Sequence, residues 1–140
     1  MGPIRLSLAP SRALAALVLL AHGGGLVCLL AAALPAWVQA AAGATVVVSL
    51  AHSTRRYALL RAPAAVVALL EGRSGPWQLL QADGSTIEAE RLPEALVHPA
   101  LVILHFRAPG RRGRIVVPIA PDMIGPEEHR RLRVRLNLER

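Results

Sequence analysis

Five histidines, one cysteine and nine acidic residues are the side chains of this chain that could do chemistry. The histidines are His22, His52, His98, His105 and His129. No pair of them has the His-Glu-x-x-His spacing that sets two imidazoles on one helix face around a metal ion. Cys28 stands alone, which excludes an internal disulfide and a cysteine-based zinc site. It is also a poor lipid-attachment site, because bulky Val27 precedes it and Leu29 follows. Ser49, Ser53 and Ser74 lack the glycine-flanked elbow that exposes a nucleophile. Glu88 and Glu90 share one face of a strand pattern, which reads as a solvated edge and not as an acid–base couple. Asp83-Gly84 reads as a hairpin turn. With no nucleophile, base and orienting group to assemble, the sequence points away from an enzyme, a metal centre or a bound cofactor.

Two kinds of residue remain for binding. The first is arginine: all sixteen basic residues are arginine, and the net charge is +7. Arg111 and Arg112 cluster with Arg114 at a turn, and Arg130 and Arg133 lie with Arg131 and Arg135 near the C-terminus. These are the candidate partner- or lipid-binding residues. Three readings stay open: contact with an anionic leaflet, worth ~1 kcal/mol per nearby basic residue; a solvated face; and an acidic protein partner. Nucleic acid is disfavoured, since an aromatic content of 3% leaves few rings to stack bases. The second is His22, which lies inside an apolar block where polar groups are costly and often functional. It is read as a neutral imidazole bonding across to a second helix near Thr45 or Ser49. A proton-handling role is the alternative, and the block supplies no partner acid for it.

That apolar block sets the architecture. Ala13 to Ala51 contains no Asp, Glu, Lys or Arg and one central proline, Pro35. A spanning helix needs ~20 mostly apolar residues, so the block suits two. The reading is a transmembrane helical hairpin over 13–54, with helices at about 13–34 and 37–51. Arg5 and Arg12 flank it on one side, and Arg55, Arg56 and Arg61 on the other. The positive-inside rule then places both termini in the cytoplasm, with residues 1–12 as a cytoplasmic N-terminal stretch. Trp37 sits where an interfacial anchor belongs, and Gln39 lies near the membrane face within reach of water. Gly23-Gly24-Gly25 reads as permitting close helix approach. A cleaved signal peptide is the rival, but its apolar region runs only ~7–15 residues.

The remainder, 55–140, reads as one small cytoplasmic β-rich domain. Strand patterns cover Ala65–Leu70, Trp77–Gln81, Thr86–Leu92, Leu101–Arg107 and Arg114–Ile119. Five short strands with tight links predict an antiparallel meander or small barrel. From Arg131 to Leu138 the pattern alternates as a strand would. Yet Gly125-Pro126-Glu127-Glu128 is a helix start, with proline in the first turn and acids at the positive end of the dipole. The spacing of His129, Leu132 and Leu136 makes a helix over about 126–137 the reading adopted. It is expected to close one side of the sheet, and His105 is expected to face solvent. The fold class is thus a membrane α+β protein.

Several segments also resemble one family. They are His22-Gly23, Arg55-Arg56, Gly75-Pro76-Trp77-Gln78-Leu79, Leu101 to Arg107, Val117 to Asp122, and His129-Arg130-Arg131-Leu132-Arg133-Val134-Arg135-Leu136. In this order they are similar to the YgfX family of bacterial membrane-bound toxins, also called CptA. The hairpin is poorer in aromatic residues than is usual there. The resemblance implies an inner-membrane toxin, neutralised by a small soluble antitoxin related to the flavinylation factor of succinate dehydrogenase. It further implies binding to the bacterial tubulin and actin homologues and a block of cell division. A non-toxic accessory factor of a membrane complex is the alternative.

Overall fold

The computed structural model describes residues 5–72 and 75–138. Arg73 and Ser74, in the link read between the first two strands, and the first four and last two residues lie outside that range. Strand β1 (Arg5–Ser7) is followed by helices α1 (Arg12–Ala31) and α2 (Ala36–Ser53), which runs on into one wide π-helical turn, Thr54–Ala58. Strands β2 (Val66–Leu70), β3 (Trp77–Gln81), β4 (Thr86–His98), β5 (Leu101–Arg107) and β6 (Ile115–Ile119) come next. A short helix α3 (Pro121–Ile124) and helix α4 (Pro126–Leu138) complete the chain.

The sheet is a six-stranded antiparallel meander in the order β1-β2-β3-β4-β5-β6. One strand more is present than the hydropathy pattern indicates. The stretch before α1, read from sequence as a cytoplasmic N-terminal stretch with no strand assigned, supplies β1, whose Leu6 lies opposite Leu69. Three residues are too few to carry a period, so only pairing with β2 defines this strand. The third expected strand ends at Leu92, but β4 continues past Pro93 to His98. Its register with β5 shifts between Arg91 and Ala95, and a bulge is where a strand tolerates proline. The bulge and the length of β4 let one strand serve both halves of a curled sheet.

One side of the sheet holds the core. Leu69, Leu79, Ala89, Val102, Leu104, Phe106, Val117 and Ile119 alternate inward along successive strands and are buried. Trp77 and Phe106 meet with ring centroids 5.7 Å apart and planes tilted by 59°. The terminal segment is a helix, as its start signals indicate, and His129, Leu132 and Leu136 are its buried residues. Leu132 and Leu136 join the core cluster. At the far end of α4, Arg135 Nη2 lies 2.8 Å and 2.9 Å from the two carboxylate oxygens of Glu71, beside the end of β2.

Helices α1 and α2 pack side by side, connected through Pro35. Gln39 does not reach for water. Its amide donates to the carbonyl of Ala32 at 2.9 Å, satisfying an acceptor left over at the end of α1. The helix contact is also placed differently from the sequence reading. A Cβ built at Gly23, Gly24 or Gly25 meets nothing, whereas one at Gly43 would touch Leu29. The three glycines therefore do not mediate the α1–α2 approach.

Candidate functional site

The junction between the helical hairpin and the sheet is a connected polar site outside the ladders. Ser11 is 2% exposed and caps α1, its Oγ accepting from the Leu14 amide at 2.9 Å. The same hydroxyl donates to Asp122 Oδ1 at 2.7 Å, and Asp122 Oδ2 accepts from the Ala13 amide at 3.1 Å. A carboxylate from the far end of the chain thus sits on the positive end of α1. Two backbone bonds reinforce it: Ser11 N–H to Ala58 O at 2.8 Å, and Ala9 N–H to Met123 O at 3.0 Å. Burial alone would raise the Asp122 pKa, but the bonds from Ser11 and the Ala13 amide outweigh it and hold the carboxyl below its usual value.

The junction also fixes where the chain leaves α2. The Arg55 carbonyl accepts from Arg61 N–H at 2.8 Å and from Ala62 N–H at 3.2 Å. Leu60 takes a left-handed φ of 53° there, a conformation that costs a branched residue about 1 kcal/mol or more. Packing of its side chain on the core offsets that cost. Further on, buried Gln81 donates to Ala64 O at 3.0 Å and accepts from Ser85 Oγ at 2.9 Å. This ties the Asp83-Gly84 turn to the segment after the hairpin. Hydrogen bonds from Ser85 hold the Asp83 carboxyl below its usual value.

Inside the hairpin, His22 makes the cross-helix contact read from sequence. Its Nδ1 lies 2.8 Å from Val18 O, one turn back, so Nδ1–H donates. Its Nε2 lies 3.1 Å from Ser49 Oγ. Thr45, the other partner considered, instead donates to Ala41 O at 2.9 Å. The outward sides of both helices are apolar and exposed, as Leu20, Val27, Leu30 and Val48 show.

The four candidate arginines lie on two elements, the β5–β6 turn and α4. Arg111 and Arg112 are exposed on the β5–β6 turn, whose Gly110 and Gly113 take positive φ. Arg111 also lines an open groove with Trp77, Glu90, Arg91 and Arg107. Arg130 is exposed on α4 and lies 3.5 Å from Glu127, which also pairs with Arg131. Arg133 departs from the surface reading: it is half-buried, and its Nε is enclosed without a hydrogen-bond partner. His105 departs likewise. Its place on β5, between buried Leu104 and Phe106, is on the outward face as expected, but there it is half-buried with Nδ1 enclosed. His129 is buried, with Nε2–H donating to Ile119 O at 3.2 Å. Desolvation, assisted by nearby Arg133, holds its pKa below the ordinary value despite that bond.

Among the described residues, no three His, Cys, Asp or Glu side chains converge to hold a metal ion. What the arrangement offers is a lipid-length apolar helix, a hydrogen-bonded junction and a basic surface. Over residues 2–140 the chain matches the family described as the membrane-bound toxin component of a toxin-antitoxin system. It belongs to that CptA toxin family. No curated protein and no solved structure matches it significantly. Membership brings membrane association and an antitoxin partner, and the match spans the hairpin, the sheet and α4 alike. Of the two long helices, α1 is long and apolar enough to cross a membrane, while α2 is shorter and carries Gln39, Thr45, Ser49 and His52.

Sequence reading missed Asp122, Ser11 and Gln39 as working residues. A serine just before an apolar helix is a legible cap signal. The carboxylate that completes it comes from 111 positions away, and no local pattern announces that.

Proposed function

We propose that this CptA-family toxin is anchored by a two-span hairpin with both termini cytoplasmic, and that it acts by binding proteins and not by catalysis. The observation that carries the topology is the pairing of β1 with β2. β1 precedes α1 and β2 follows α2, yet they are neighbours in one sheet. If α1 crosses a bilayer, α2 must bring the chain back, or the sheet could not form. The arginines at the sheet end of both helices, Arg12, Arg55, Arg56 and Arg61, favour the cytoplasm for that side. Trp37 at the other end suits an interfacial anchor.

In this reading the rigid junction holds the sheet domain at a fixed pose on the hairpin, and its surface presents arginines to partners. A bidentate, permanently charged side chain suits acidic protein surfaces. The partners proposed are a small antitoxin and the bacterial tubulin and actin homologues, whose assembly the toxin would hinder at the inner membrane. The topology test is a pair of reporter fusions. A reporter active only in the cytoplasm should work after Arg140, and one active only in the periplasm should work when inserted at Pro35. Periplasmic activity after Arg140 would overturn the hairpin. For the mechanism, overexpression should alter growth and cell shape, and co-expression of the antitoxin should restore both.

A further inference from the structure

The sheet changes character across the β4 bulge. Before it, the outward side chains of β3 and β4 include Gln78, Glu88 and Glu90, all exposed. After it, the inward residues Val102, Leu104, Val117 and Ile119 are buried, so alternate residues face out. The register sets Leu96, Ile103 and Pro118 in one row across three strands, with Val116 beside His105 in the next. Leu96 is 53% exposed, and Ile103, Val116 and Pro118 are only half-buried. An antiparallel sheet with one wet face alternates to polar residues there; here Leu96, Ile103, Val116 and Pro118 form an apolar strip, with His105 beside it and His98 and the Glu94–Arg114 ion pair at its margin.

Two observations indicate what covers it. Val116 and Pro118 line a narrow cleft together with Arg56, Tyr57 and Leu60, which lie in and just past the turn that follows α2. The apolar face therefore begins where the hairpin would enter the bilayer. Its borders are mainly basic: Arg56 stands at the cleft, Arg107 ends β5, Arg111 and Arg112 occupy the turn joining β5 to β6, and Arg114 neutralises Glu94. An apolar patch rimmed by cations matches headgroups over an acyl boundary, as in helices that lie in the membrane plane.

We propose that the outward face of β4–β6, centred on Ile103, lies on the anionic lipid surface from which the hairpin emerges. This rests on the two-span reading above. The domain is then pressed to the leaflet and does not hang from it, and the acidic outward residues before the bulge stay in water.

The test uses the full chain with Cys28→Ala and single probes at Ile103→Cys, Leu96→Cys, Glu88→Cys and Val27→Cys, each carrying an environment-sensitive fluorophore. The protein is reconstituted in phosphatidylcholine vesicles with and without phosphatidylglycerol. With phosphatidylglycerol present, nitroxide lipids should quench the probes at Ile103 and Leu96. Acrylamide should reach these probes several-fold less well than the one at Glu88. Equal acrylamide access at all three positions overturns the proposal. Protection without nitroxide quenching also overturns it and assigns the face to a second protein surface. Quenching at Val27 with none at Ile103 or Leu96 rejects this proposal alone; no quenching at Val27 rejects the hairpin with it.

Discussion

Replacing Asp122 tests whether the hairpin and the sheet are one mechanical unit. The carboxylate accepts from the Ser11 hydroxyl at 2.7 Å and from the Ala13 amide at 3.1 Å. Asp122→Ala removes both acceptors. Ser11 is 2% exposed, so its hydroxyl loses its partner where water cannot easily replace it, at a cost of ~1–3 kcal/mol. Losing the charge at the helix start adds ~0.3–1 kcal/mol. Asp122 itself is exposed, which lets solvent relieve part of this, so a net cost of about 2 kcal/mol is expected. Asp122→Asn keeps one acceptor and should cost about half as much. Hydrogen exchange on the detergent-solubilised chain reads the effect locally. The amides of Ala13 and Leu14 should exchange faster by roughly thirtyfold in Asp122→Ala, the factor equivalent to that energy. The sign with pH follows from the lowered pKa. The stabilisation is complete above the ordinary value of 3.8 and is lost as pH falls through the lower folded-state value. A double cycle with Ser11→Ala should be strongly non-additive. Unchanged exchange at Ala13 and Leu14 in Asp122→Ala would refute the claim that this contact locks the junction.

Buried His129 should make the α4 contact acid-sensitive. Its folded-state pKa lies below 6.5, so its contribution is complete above that value and fades as pH falls below it. Thermal melts of His129→Leu should be lower than the parent near neutrality but flatter across about pH 7 to 5, where the imidazole titrates; parallel profiles would remove the histidine from the explanation. Glu71→Ala removes one carboxylate partner from half-buried Arg135 and should cost about 2 kcal/mol, measured as a loss of melting temperature. Arg111→Ala, Arg112→Ala and Arg130→Ala together should leave the melt nearly unchanged, since exposed charges contribute well under ~1 kcal/mol each. The same triple variant should be less disruptive on overexpression at equal membrane level, and an equally disruptive one would move function away from the basic surface.

Sequence alone decides the parts whose signal is local. The charge-free run around Pro35 makes two helices, because its alanines and leucines favour helix residue by residue and Pro35 divides them; of the two, α1 is long and apolar enough to cross a membrane. Period-two patterns in Leu101–Arg107 and Arg114–Ile119 make strands, and Pro126-Glu127-Glu128 starts a helix despite the alternation that follows. The ordered segments from His22-Gly23 to Leu136 are enough to point to the toxin family. Tertiary structure decides what depends on distant partners. Arg5–Ser7 is a strand only because β2 offers it an edge. Gln39 turns inward because α1 ends beside it with a free carbonyl. Arg133 and His105 are partly enclosed by neighbours that their own spacing cannot reveal. Asp122 gains its role only when folding carries it across 111 positions to the start of α1. A hydrogen bond of that span has no sequence period, so only the packed chain determines it.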